Sequence, residues 1–267
     1  MQPLLTYFFP WRHVGLIRQF AQREMHARYR QSILGTAWAV LTPLLMLAVY
    51  TFVFRFVLRL RWGSSVESDL LFALRLYAGL AVFNFFAECV SRAPRLILEQ
   101  PHLVKKVVFP LEILPWVNAV SSLAHLGIAL VLLVCFGIWE HGAVHATLLA
   151  LPLVWLALLP LSVGLGWLLS ALGTYVRDVA QVLGMLLSLM MFLSPIFFPV
   201  EALPKAVQPW MALNPLALTI TQTRLVIIDG SWPDWSALAW HFAACCAVAV
   251  VGALFFRQVR KGFADVV

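Results

Sequence analysis

Charge is scarce in this sequence. Only 12% of its 267 residues are Asp, Glu, Lys or Arg, whereas 62% are hydrophobic and the mean hydropathy is +0.89. A soluble domain carries about 25% charged and about 45 to 50% apolar residues, so both departures exclude one and point to an integral membrane protein. The apolar residues run along most of the chain, which leaves too little polar sequence for a separate extramembrane catalytic domain. Lysine is rarer still: Lys105, Lys106, Lys205 and Lys261 are the full set, and none follows a glycine as a phosphate-cradling GxxxxGK[ST] loop requires. ATP-driven work must therefore come from another subunit. The four cysteines, Cys89, Cys135, Cys245 and Cys246, sit in apolar stretches without CxxC spacing, which excludes the usual zinc and redox motifs. Carboxylates are scattered at the ends of apolar runs, so neither a catalytic acid pair nor a nucleophilic triad is visible. His141 and His145 have the i, i+4 spacing of a metal pair beside Glu140, but a third ligand is not evident and Gly142 opposes a helix there, so no metal site is expected.

What the chain does have is length of apolar sequence. A crossing needs about 20 apolar residues. Six segments qualify: Ile33–Leu58, Leu70–Val90, Leu114–Trp139, Ala146–Leu172, Val179–Phe198 and Leu238–Phe256. Helices are expected, because lipid offers the backbone no partner and no alternating strand pattern appears. The first of these runs starts only after Gln31, behind a charged segment, so a cleaved leader is not expected and the first span stays as an anchor. From Ser194 to Trp235, Pro195, Pro199, Pro204, Pro209 and Pro215 cut the sequence into pieces too short to cross. The part from Pro199 to Trp235 reads either as a re-entrant outer segment lining a path or as a loop in the headgroups.

The net charge of +7 is first a topology signal, and nucleic acid is not an expected partner. With the N-terminus inside, 13 of the 19 Lys and Arg residues fall on the cytoplasmic side, which places both termini in the cytoplasm. Trp11–Gln31 is too polar to cross but helical in period, with Trp11, Val14, Ile17, Ala21 and Met25 on one face and basic residues, among them Arg12, Arg23 and Arg30, on another. Together with Arg28 these arginines suit an interfacial helix on the inner leaflet, where each gains about 1 kcal/mol near anionic lipid. It is a simple anchor or a brace for a cytoplasmic partner. The loop Arg92–Pro110 is cut by Pro94, Pro101 and Pro110 into short amphipathic pieces, with Lys105 and Lys106 basic; it is a solvated loop or a rigid lever.

Aromatic residues crowd the first two spans. Tyr50, Phe52, Tyr77, Phe83 and Phe86 suit either the membrane interface or, if turned inward, the C–H faces of sugars. Glu88 and Asn118 are polar at membrane depth: each lines a path or bonds a neighbour, as Glu88 could bond Arg92 one turn on. These seven residues are the candidate channel lining.

At this point several motifs stand in a recognisable order. REMHARYRQSILGTAWAVLTPLLMLAVYTFVF (Arg23–Phe54), LVKKVVFPLEILP (Leu103–Pro115), RDV from Arg177, SPIFFP from Ser194 and LNPLALTITQTR (Leu213–Arg224) together resemble the membrane permease subunits of ABC transporters that export polysaccharides, the O-antigen, capsule and teichoic acid exporters. The resemblance covers nearly the whole chain. It implies an all-α, non-catalytic subunit of the bacterial inner membrane that pairs with a second copy and with two ABC ATPase subunits, which bind the ATP and Mg. It further implies a channel along the dimer interface for a lipid-linked polysaccharide, and a coupling helix in Arg92–Pro110 that places Glu99, Gln100, Pro101, His102, Lys105 and Lys106 against the ATPase. Gln100, Pro101 and His102 stand where the family has an Asn-containing turn, and Leu111 replaces a common Arg. An ABC permease for a drug or lipid, and a membrane-embedded transferase acting on a lipid-linked sugar, are the alternatives.

Overall fold

The computed structural model describes residues 5–29, 33–57, 59, 62, 68–105, 109–142 and 145–267, and they contain helices and no strand. Eight helices carry the architecture. They are α1 (Val14–Tyr29), α2 (Gly35–Val57), α3 (Asp69–Arg95), α4 (Leu111–Glu140), α5 (Ala146–Tyr175), α6 (Val179–Leu193), α7 (Pro215–Ile227) and α8 (Trp235–Val266). Five of them, α2, α3, α4, α5 and α8, are long and apolar enough to cross a membrane. The protein is a multi-pass membrane protein.

Local chemistry sets the helix ends. Ser68 caps α3, its hydroxyl accepting from the Leu71 amide at 3.0 Å and donating to Glu140 at the end of α4. Gly142, at φ +69°, ends α4 in the left-handed conformation that glycine adopts without strain. Asn214 caps α7 with Pro215 in the first turn, and Asp234 caps α8 by accepting from the amides of Ser236 and Ala237, both at 3.0 Å. α5 carries a turn at Ala157–Leu158 because Pro160 lacks the amide that would continue the ladder.

One expected boundary needs correction. The segment Val179–Phe198 is helical only over Val179–Leu193, 15 residues or about 22 Å of rise. Pro195 forces Ser194 out of the helical region, and Ser194 sits at φ −91°, ψ 150°. The Ser194 side chain donates back to Met190 O at 2.7 Å and takes a bond from Asn214 Nδ2 at 2.9 Å, which ties the break to the start of α7.

α3 is the axis. It contacts α2, α4, α5, α6 and α7, and its buried residues include Phe72, Leu76, Tyr77, Phe83, Phe85 and Phe86. α5 and α8 pack without room for side chains at their crossing, where a Cβ on Gly164 would strike Ala249 and one on Gly252 would strike the Gly164 carbonyl. α1 buries Ile17 and Ala21 against Ile113 and Val117 of α4, while Trp11 and Val14 stay exposed. The apolar face expected to meet lipid is thus covered in part by protein.

Both ends of the chain converge on the start of α4. Glu112 is buried there, paired with Arg260 at 2.7 Å, and its backbone carbonyl accepts from Trp167 Nε1 at 2.9 Å. Trp116 Nε1 bonds Tyr7 O at 2.8 Å, and the Tyr7 ring packs edge-on to Trp167 and Phe256.

Candidate functional site

A groove of about 520 Å³ runs between α2, α3 and α4. Helical spacing builds it. Trp38, Thr42, Met46 and Tyr50 follow at four-residue steps along α2; Tyr77, Ala81, Asn84 and Glu88 face them from α3; Ser122, His125 and Ala129 close the α4 side. Twelve residues of α2 correspond to about 18 Å of length. The lining mixes two chemistries: broad aromatic and aliphatic faces, and hydroxyl, amide, imidazole and carboxylate groups. The Tyr77 hydroxyl is buried beside the groove and has no hydrogen-bond partner among the described residues.

The α1 end of the groove is closed by ions. Arg28 of α1 donates to Glu88 Oε1 at 2.6 Å and lies 3.2 Å from His125 Nδ1. His125 stands 3.5 Å from the other Glu88 oxygen. Arg92, one turn beyond Glu88, is 3.9 Å from the same carboxylate and pairs with Glu24 of α1. A carboxylate on an apolar span is costly alone, and these cations are what allow it to be there.

Beyond this cluster a second cavity of about 270 Å³ is lined by Arg23, Glu24, Arg92, Glu99 and Gln100. Pro101–Lys105 then forms one short helix with His102 and Lys105 exposed. Lys106 and Arg30 lie outside the described residues, and Arg12 is exposed near the start of α1.

At the far end, buried Arg224 of α7 holds the broken segment. Its guanidinium donates to Arg75 O at 2.8 Å, Pro195 O at 2.5 Å and Ile196 O at 2.7 Å, and sits 4.4 Å over the Trp62 ring. Those carbonyls include two that the proline break leaves without helical partners. The side chain of Arg75 itself pairs with Asp229 at 3.0 Å. The C-terminal part of α2, a π-helical stretch over Phe52–Val57, leans on the same segment through Phe54 stacked on Phe197 at 4.4 Å, with Tyr50 and Phe192 beside it.

Of the candidate lining residues, Tyr50, Tyr77 and Glu88 meet in the groove, joined by Arg28. Phe83 and Phe86 are buried on other faces of α3, Asn118 is buried and donates to Cys89 O at 2.9 Å, and Phe52 faces outward, 60% exposed. In the sequence Arg224 stands only as the last residue of the LNPLALTITQTR motif, and nothing there shows its role. Sequence reasoning missed the Glu24–Arg92 pair, although Glu24 and Arg28, like Glu88 and Arg92, stand four apart with opposite signs, which is a visible signal.

Similarities to known proteins bear on this arrangement. A family model described as ABC-2 type transporter matches residues 15–228. The chain is 28% identical over 261 residues to the O-antigen export system permease protein RfbA of Myxococcus xanthus, covering 96% of each, and 22% identical over 253 residues to the protein of the same name from Klebsiella pneumoniae, covering 94% of each. The polysialic acid transport protein KpsM of Escherichia coli is 25% identical over 238 residues, 88% of this chain and 90% of that one.

Proposed function

Because the chain belongs to the ABC-2 type transporter family, we propose that it is the permease subunit of an ATP-driven exporter that carries a lipid-linked polysaccharide of the O-antigen kind across the bacterial inner membrane. Two copies pair around a channel, with two separate ATPase subunits on the cytoplasmic face. Those subunits bind the ATP and Mg; this chain is not catalytic. Six crossings leave both termini in the cytoplasm, with α6 as the fifth, completed by the residues up to Phe198. α1 lies at the inner interface and α7 re-enters from the outside, and the short helix Pro101–Lys105 with Glu99 and Gln100 meets the ATPase.

The observation that carries this reading is the groove between α2, α3 and α4. Its aromatic faces, from Trp38 and Tyr50, suit sugar C–H surfaces, and Asn84, Arg28 and His125 suit sugar hydroxyls. The names of the relatives support the cargo class, and their nearly full-length match supports carrying it over to the whole chain.

Expression with a cognate ATPase, in a strain deleted for both genes, tests the proposal. Surface glycan should appear only when both subunits are present and the ATPase is active. Efflux of a drug or a simple lipid with no glycan at the surface overturns the cargo. Sugar transfer by the purified chain without any ATPase overturns transport altogether.

A further inference from the structure

The groove and the second cavity are separated by four charges that form a two-rung ladder. Glu24 and Arg28 lie one turn apart on α1, and Arg92 and Glu88 lie one turn apart on α3. The rungs are Glu24–Arg92 and Arg28–Glu88 at 2.6 Å, so the helices run antiparallel past each other. Arg28, Glu88 and His125 face the groove, whereas Glu24 and Arg92 face the cavity that Glu99 and Gln100 line. Glu88 stands at the division. It has a second arginine already within 3.9 Å, because Arg92 is four residues on along the same helix.

We propose that Glu88 is a positioning residue that passes occupancy of the groove to the loop at residues 96–105 by exchanging arginine partners. The inference rests on the permease reading above. A hydrogen-bonding group of the cargo that engages Arg28 or His125 competes for the carboxylate. At this depth an unpaired carboxylate is costly, so Glu88 does not open to an ion-free state; it turns to Arg92. Arg92 then leaves Glu24, and the rung that ties α1 to α3 beside Leu96, Glu99 and Gln100 is released. The coupling is reciprocal: a push on the loop that separates Arg92 from Glu24 draws Glu88 off Arg28 and exposes that guanidinium to the groove. Two discrete pairings give the two-state element that such coupling needs.

The test uses the permease–ATPase complex in lipid, with purified lipid-linked glycan as the probe and the ratio of glycan-stimulated to basal ATP hydrolysis as the readout. Glu88→Gln should bring the ratio about tenfold closer to one, a size ordinary for a coupling between two sites. Arg92→Gln should do the same although the Arg28–Glu88 rung is intact. The double variant Arg28→Glu with Glu88→Arg is decisive. It restores the rung, so a merely structural role predicts a restored ratio. Partner exchange predicts that the complex assembles and the ratio stays low, because an arginine at 88 cannot pair with Arg92. A charge-swapped complex with the wild-type ratio overturns the inference alone, as does Arg92→Gln with the wild-type ratio. A wild-type complex that neither exports glycan nor responds to it overturns the permease reading, and this inference with it.

Discussion

Helices α2 and α3 are nearly equal in what a hydropathy scan can see and opposite in what they do. Their most apolar stretches are closely alike in hydropathy, yet 6% of the first is buried within the chain and 72% of the second. In water an apolar helix is driven inward; in lipid it is not, so hydropathy carries no instruction about which helix becomes the axis. The instruction lies in side-chain distribution. α3 places Ala73, Ala78, Gly79 and Ala81 among its aromatics, which lets α4, α6 and α7 approach closely; a Cβ on Gly79 would lie 2.8 Å from the Arg224 guanidinium. α2 turns Leu45, Val49, Phe52 and Phe56 away from the protein and keeps its other face for the groove. One helix is scaffold, and the other is a wall.

The contrast can be broken at its strongest point first. Phe72→Ala empties a fully buried site in α3 and should cost about 3 to 5 kcal/mol, read as a lower unfolding midpoint in detergent and poor membrane yield. Next, Arg224→Gln leaves buried carbonyls of Arg75, Pro195 and Ile196 short of donors, a loss of about 3 kcal/mol, and limited proteolysis should find the Ser194–Asn214 segment first. If Arg224→Lys recovered full stability, the forked geometry of the guanidinium would not matter and this account of the break would fail. Phe52→Ala on the outward face of α2 should change monomer stability by no more than about 0.5 kcal/mol. A larger effect would show that the exposed wall is held from within the chain after all.

The smallest effect lies outside both helices. The Ser236 hydroxyl and then the Ala237 amide hold the Asp234 carboxyl below the ordinary Asp range. The lowered value means that this cap adds stability above the ordinary Asp range and loses it as pH falls through that range into the folded-state value. Asp234→Ala should therefore lower the melting midpoint slightly at pH 7 and not at all in strong acid, with α2 and α3 unaffected by either change.

Boundaries and breaks were legible in the sequence because they depend on near neighbours. Pro195 announced the break, Gly142 the end of α4, and the i, i+4 spacing Arg92 as a partner for Glu88. Even there the fifth apolar segment overruns its helix, since a run of apolar letters through Ser194–Pro195 hides that the backbone turns before the letters change. Partners from distant positions were not legible. Arg28 reaches Glu88 across 60 residues, Arg260 reaches Glu112 across 148, and Arg224 bonds backbone carbonyls, which have no letter at all. The period of α1 showed which face was apolar but not that Ile113 and Val117 would cover it. Among the α3 aromatics, Tyr77 lines the groove while Phe83 and Phe86 do not, and the rotation of α3 against its neighbours separates them.

The clasp between Glu112 and Arg260 also sets an order of events during synthesis. Glu112 leaves the ribosome 148 residues before the only cation the structure pairs it with among the described residues. Until the last helix is made and docked, the corner beside the loop at residues 96–105 holds a carboxylate that has nowhere dry to go, so that corner stays hydrated and unlocked. Its closure is a report that α8 has arrived. A nascent or truncated chain without α8 would thus leave that corner unfinished, and its completion would wait on α8 rather than on the first helix to emerge.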